Sequence, residues 1–326
     1  MHKKFRLVMS IFLFLICSAF LINVGGTYIK NRIWDYLSSK VDNSEYLMKN
    51  MNIYRDTPAW ELALAVEDER TSTIERIAKR SPELLNYQDS KYGETLLLWA
   101  VGMEKYNSAE TLLKCGADAN IATIDEGETP LLLAADYSWI DTKYKKDPKY
   151  VKLLLSYGAD PNKRYIGKKR DSTEYGTTPL IKSIGCGIEK TKALVEGGAD
   201  INLKTKSGNT AAAEALRHVG STSMFREMEY AYYLIVDKKA KVNEFYYSPE
   251  YVLIPGDDPN IKFYPVDLLR DWTPELNSEG YKMKMEIVDE FARQGVNYWN
   301  TTIPKDVISQ IKEIYPHDWE EYLKKY

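Results

Sequence analysis

The stretch that decides the fold is Gly127-Glu-Thr-Pro-Leu-Leu-Leu-Ala-Ala135, followed by Leu153-Leu-Leu-Ser-Tyr-Gly-Ala-Asp-Pro-Asn162. Its first half returns as Gly93-Glu-Thr-Leu-Leu-Leu-Trp-Ala-Val101, Gly176-Thr-Thr-Pro-Leu-Ile-Lys-Ser-Ile184 and Gly208-Asn-Thr-Ala-Ala-Ala-Glu-Ala-Leu216. Its second half returns as Leu112-Leu-Lys-Cys-Gly-Ala-Asp-Ala-Asn120 and Ala193-Leu-Val-Glu-Gly-Gly-Ala-Asp-Ile-Asn202. A phrase that recurs in altered spelling marks a stacked repeat protein, whose function lies on surfaces rather than in a pocket. The anchoring threonines Thr95, Thr129, Thr178 and Thr210 stand 34, 49 and 32 residues apart, so the middle step carries an insertion.

Each part of the phrase has a mechanical reading. Thr-Pro opens a helix: proline lacks the amide that would be orphaned in the first turn, and the threonine hydroxyl caps the remaining donors. A first helix is therefore predicted near Pro130 and near Pro179. Small residues at Ala134, Ala135 and Ala211 to Ala213 give it a slim face for close stacking. The leucine pairs at 112–113 and 153–154 form the bulky face of a second helix. Gly116, Gly158 and Gly198 can take the left-handed conformation that ends it.

The chain resembles the ankyrin repeat, whose period is about 33 residues. The resemblance implies an all-α solenoid of helix-turn-helix units with β-hairpin loops over residues 57–303, about six repeats with degenerate end copies. Trp60-Glu-Leu-Ala-Leu-Ala-Val66 with Ile74 and Ile77 reads as the first repeat. Leu234 to Asn243, with Lys239 at the usual glycine position, is the second helix of the fifth. Tyr264 to Leu269 with Ile287 to Asn297 is the sixth. The family's histidine after Thr-Pro-Leu is absent, with Leu98, Leu132, Ile181 and Ala213 in its place, so the junctions should rely on apolar packing. Val307, Ile308, Ile311, Ile314, Trp319, Tyr322 and Leu323 predict short amphipathic helices over 304–326 that cap the last repeat.

At the front, His2, Lys3, Lys4 and Arg6 precede an apolar run from Leu7 to Val24. Cationic residues before such a run are the export pattern. As a helix the run would reach about 27 Å, against a hydrocarbon thickness of roughly 30 Å. Three outcomes fit residues 1–26: an uncleaved anchor with membrane contact through residues 7–24, a signal cleaved after Cys17-Ser-Ala19 or Val24-Gly-Gly26, and lipidation at Cys17. In each, the repeats face the periplasm of a bacterium. Met48 and Met51 read either as ordinary linker methionines or as internal starts that would give a minor cytosolic form. Residues 27–56 are expected to be a helical linker, with Ile33, Trp34, Leu37 and Val41 at helical spacing.

Chemistry is not signalled. The histidines His2, His218 and His317 are scattered, and no nucleophile elbow, phosphate-binding loop or paired Cys-x-x-Cys occurs. No cofactor or metal is implied. The net charge of −3 gives no steering toward nucleic acid. Cys115 and Cys186 are expected two repeats apart, too far for a disulfide.

Insertions at 137–149, 163–170 and 243–261 lengthen connections at little entropic cost. The second carries five basic residues, Lys163, Arg164, Lys168, Lys169 and Arg170, around Tyr165. It reads either as a solvated tip or as a contact for an acidic patch. The architecture of export segment and ankyrin array resembles immunity proteins that accompany type VI secretion phospholipase effectors. That resemblance implies a non-catalytic 1:1 complex with a lipase toxin through Trp99, Tyr137, Trp139, Arg164, Tyr165, Lys168, Lys169 and Arg170. Trp99, between Leu98 and Ala100, also suits burial against a neighbouring repeat, which would leave the loops to carry the binding. A periplasmic scaffold for a resident envelope enzyme is the leading alternative, and a host-directed secreted effector, disfavoured by the membrane-length N-terminus, is a third reading.

Overall fold

The computed structural model describes residues 48–136, 139–140, 146–167, 173–219, 228–248 and 258–326. The chain divides into two compact units, Met1–Leu47 and Met48–Tyr326. The export segment and most of the expected linker belong to the first unit and lie outside the described residues. No described helix is long and apolar enough to cross a membrane.

The second unit is a run of helix pairs. They are α1 (Trp60–Glu67) and α2 (Thr71–Arg80), α3 (Leu96–Gly102) and α4 (Tyr106–Lys114), α5 (Pro130–Ala135) and α6 (Lys149–Ser156). Then come α7 (Pro179–Lys182) and α8 (Ile188–Glu196), followed by α9 (Ala211–Val219) and α10 (Met228–Tyr232), the latter continued by a π turn at Tyr233–Asp237. The strands β1 (Tyr246–Tyr247) and β2 (Lys262–Phe263) pair antiparallel. After them come α11 (Pro265–Leu268), α12 (Glu279–Arg293), α13 (Lys305–Ile314) and α14 (Trp319–Lys325). The first helices α1, α3, α5, α7, α9 and α11 touch in order. The second helices follow the same order, α4 meeting α6 through the edge-on rings of Tyr106 and Tyr150 at 5.4 Å.

The threonine caps form as expected. Thr95, Thr129, Thr178 and Thr210 accept from the amides of Leu98, Leu132, Ile181 and Ala213 at 3.1–3.3 Å. Gly116, Gly158 and Gly198 follow their helices with φ of 101°, 81° and 93°. Lys239 takes the same conformation at φ 60°, a strain glycine would avoid. Leu98, Leu132, Ile181 and Ala213 are buried, so those junctions are apolar.

Polar links between repeats exist nonetheless. Asn86, Asn120, Asn162 and Asn202 use Oδ1 to accept the amides of Asp118, Asp160, Asp200 and Lys241 in the following repeat, at 2.7–2.8 Å. Asn120 and Asn162 also donate to the carbonyls of Gly158 and Gly198. Asn120→Ala removes both bonds at one junction and is expected to cost about 1 kcal/mol in urea unfolding. Asn120→Asp, which keeps the acceptor, should retain part of that loss, and an unchanged midpoint for Asn120→Ala would show the ladder to be incidental.

At the front of this unit, Met51 and Tyr54 of the expected linker are buried in the first repeat's core. At the other end α13 and α14 have their own apolar cluster of Val307, Ile311, Tyr322 and Tyr326. Buried Arg270 ties this block to the sixth repeat, donating to Thr301 Oγ1 and to the carbonyls of Tyr298 and Tyr326 at 2.8–2.9 Å.

Candidate protein-binding surface

Between helix pairs the chain turns out into hairpin tips, and successive tips are joined by backbone hydrogen bonds. Ile124 N–H donates to Tyr92 O at 3.1 Å, Ile166 N–H to Glu126 O at 3.1 Å, Lys206 N–H to Tyr175 O at 2.9 Å, and Tyr247 N–H to Ser207 O at 2.8 Å. The result is one ridge from the second repeat to β1 and β2. Gly93 and Gly127 reverse the chain at φ 68° and 66°, and their lack of a side chain has a second use. A Cβ on Gly93 would stand 2.3 Å from Ile124 Cγ1, and one on Gly127 2.2 Å from Ile166 Cγ1. Each isoleucine therefore lies across the glycine of the preceding tip. Their outer faces stay in water: Ile124 is 65% exposed, Ile166 50% and the neighbouring Tyr175 52%.

Two residues expected on the binding surface turn out to be interior. Trp99 is 1% exposed, and every residue of α3 from Leu96 to Gly102 is buried. Its indole Nε1 donates to Lys49 O at 3.3 Å, so the chain ahead of the first repeat covers it. Tyr165 is 3% exposed. At the corresponding place in other tips stand Asp89, Thr123 and Thr205, whose side chains accept the amides of Glu94, Glu128 and Asn209 at 2.6–3.1 Å. In the lengthened fourth tip the backbone bonds Tyr165 N–H to Thr177 O and Gly176 N–H to Tyr165 O, both 2.8 Å, close a wider loop. The phenol turns inward against Gly167, with the Lys182 ammonium 5.7 Å from its ring centroid.

The remaining expected residues divide. Trp139 is half-buried and docks on α3, where a Cβ on Gly102 would come within 2.2 Å of its ring. Lys49 Nζ donates to Trp139 O at 2.7 Å. Arg164 is exposed and its guanidinium reaches Lys204 O at 3.3 Å. Tyr137, Lys168, Lys169 and Arg170 lie outside the described residues. The returning limb of the basic loop is pinned, because Glu174 accepts from Ser207 N–H at 2.5 Å and Ser207 Oγ at 2.9 Å.

The structure also brings together residues that sequence reasoning passed over. Lys182 on α7 contacts Glu128, just before α5, and Asp136, the residue that ends it, both at 3.0 Å. Burial alone would lower the Lys182 ammonium; the two carboxylates overcome that and hold it above the ordinary lysine range. Beside them the Cys186 thiol is pushed up to about 12 by burial and by Asp136, which leaves it a packing group rather than a nucleophile. Neither Cys115 nor Cys186 is in a disulfide, and the Cys186 thiol donates to Lys182 O at 3.3 Å. Burial likewise lowers Lys190, whose Nζ donates to Asp136 O at 2.9 Å. His218 lies against Gly185, and among the described residues no group of three or more His, Cys, Asp or Glu could hold a metal ion.

Comparison with known proteins agrees with this geometry. Residues 62–165 match the family model of ankyrin repeats, in three copies. Protein PhlB of Serratia liquefaciens is 34% identical over 117 residues, 36% of this chain and 44% of that protein. Rabankyrin-5 of Homo sapiens is 34% identical over 140 residues, 41% of this chain and 11% of that protein. The chain thus spans less than half the length of these relatives. Residues 62–165 thus carry ankyrin repeats, stacked in order with the helix pairs around them, an architecture suited to binding other proteins.

Proposed function

We propose that this chain is a non-catalytic binder on the periplasmic side of a bacterial inner membrane, where it neutralises a phospholipase delivered by type VI secretion, one binder to one toxin. The observation that carries the reading is the continuous ridge of hairpin tips with Ile124 and Ile166 held outward at equivalent positions and exposed Tyr175 on the same ridge. Apolar side chains on a rigid hydrogen-bonded frame suit recognition of a folded partner without much ordering cost. The cationic start and apolar run of residues 2–24 support the location. A lipase acting on the membrane from that side would meet the binder there.

Co-expression tests this directly. The product of the neighbouring gene, exported to the periplasm, should kill cells that lack this chain and spare cells that express it. A variant without residues 1–26, kept in the cytoplasm, should give no protection. Killing that is unchanged by the full chain would reject neutralisation, and co-purification with a resident envelope enzyme would then favour the scaffold role.

A further inference from the structure

Resting on the reading of the array as a protein binder, the segment ahead of the first repeat points to how binding is held in check. We infer that Met48–Tyr54 is an autoinhibitory strap over α3, and that the partner takes its place with a backbone carbonyl on the Trp99 indole and an apolar side chain where Met51 lies.

First helices of a repeat array face the groove that partners enter. α1 keeps Glu61 exposed and Leu64 half-buried, and α9 keeps Glu214 half-buried. In α3, as in α5, every residue is buried. For α3 the cover comes from outside its own repeat. Lys49 spans two tryptophans, its carbonyl accepting Trp99 Nε1–H at 3.3 Å and its ammonium donating to Trp139 O at 2.7 Å. Trp139 belongs to the insertion of the third repeat, and its ring fills the space that any side chain at Gly102 would need. Asn50 Oδ1 accepts the Asn52 amide at 3.0 Å and so opens the turn Met51–Tyr54, which packs on α1. Tyr54 Oη then donates to Glu94 O at 2.9 Å. One short segment thus meets the first three repeats.

Its attachment is graded along its length. Lys49 and Asn50 are exposed, so the two bonds at that end compete with water and contribute modestly. Met51 and Tyr54 are buried. Peeling therefore begins at Lys49 and ends at Tyr54. There the closed form carries a cost, because the fully buried Glu94 carboxylate has no hydrogen-bond partner on either oxygen. Burial first, and the Glu94 carboxylate next, push the Tyr54 phenol above its ordinary value. Departure of Tyr54 lets water reach Glu94 and offsets part of the lost burial. What opening uncovers is Trp99, an indole of the kind that dominates protein interfaces.

The test uses the full chain and an end-capped fluorescent peptide of residues 48–56, read by anisotropy. A strap closed about nine-tenths of the time weakens the apparent affinity about tenfold. Lys49→Glu, an exposed substitution, should bind the peptide several-fold more tightly than the unaltered chain, and Lys49→Glu with Met51→Ser about tenfold or more. Trp99→Phe, which removes the indole donor, should cancel part of that gain. Hydrogen exchange should quicken over Met51–Tyr54 in Lys49→Glu and stay unchanged in α4, which separates an open strap from a loosened fold. The purified product of the neighbouring gene should displace the peptide. Equal affinity of the unaltered and opened chains, equal binding of a scrambled peptide, no binding at millimolar concentration, or a toxin that binds without displacing the peptide would overturn the inference. Strap exchange without protection in co-expressing cells would sink the toxin reading alone. Protection without strap exchange would sink this one alone.

Discussion

Lys182→Ala is expected to lower the unfolding free energy by about 3–5 kcal/mol, the range for removing one partner of a buried ion pair. The Lys182 side chain is 9% exposed and touches Glu128 and Asp136 at 3.0 Å. These carboxylates flank the two ends of α5, so a side chain from the fourth repeat staples the whole helix of the third. Loss of the ammonium leaves two negative groups close together in a poorly hydrated place. The size of the effect is therefore that of stranded charge, not of one attraction. Triple replacement with Lys182→Met, Glu128→Gln and Asp136→Asn should recover most of the loss, since it removes the stranded charges as well. Urea unfolding measures both. A loss below about 1 kcal/mol for Lys182→Ala would mean that water reaches the carboxylates and the pair behaves as a surface contact. The sign with pH follows from the raised ammonium. The contribution is fully present below the unfolded lysine value of about 10.4 and is lost as pH rises through the folded one.

What could be read from the chain follows from how locally each feature is determined. The helix starts at Thr129-Pro130 and Thr178-Pro179 depend on adjacent residues, and they appear as read. The glycine stops at Gly116, Gly158 and Gly198 are equally local. Direction of a side chain is not. Tyr165 sits in a basic stretch and reads as surface, yet its position in the tip is that of Thr123 and Thr205, and the lengthened loop conceals the correspondence. Trp99 is covered by Lys49, a partner 50 residues away in sequence. Ile124 and Ile166 escaped notice for the opposite reason: an isolated isoleucine reads as core, and only the ladder of tips shows that it stands outside. The asparagine ladder was in plain view as the recurring Gly-Ala-Asp-x-Asn, but its bonds cross between repeats, where spacing alone names no partner.

Glu94→Gln is expected to stabilise the protein by up to about 4 kcal/mol at pH 7, the cost of taking up a proton that the buried glutamate bears and glutamine does not. Glu94 is fully buried at the root of the second tip, and neither of its carboxylate oxygens has a hydrogen-bond partner. The backbone around it is satisfied, with Glu94 N–H donating to Asp89 Oδ2 at 2.6 Å and Tyr54 Oη donating to Glu94 O at 2.9 Å. The side chain has no such compensation. Burial raises its carboxyl well above the ordinary range, and the nearby Asp89 and Glu128 add to the shift. The folded state thus binds this proton more tightly than the unfolded chain, whose glutamates titrate near 4.3. Stability associated with Glu94 is complete below that value and falls as pH rises toward the folded one, by at most about 1.4 kcal/mol per pH unit. Glutamine cannot ionise and should remove the slope. Unfolding curves from pH 4 to pH 8 should show the two proteins nearly equal at the acid end and diverging above it. A constant gap across that range would assign the difference to packing around the amide, and no gap would mean the carboxylate finds a partner in solution.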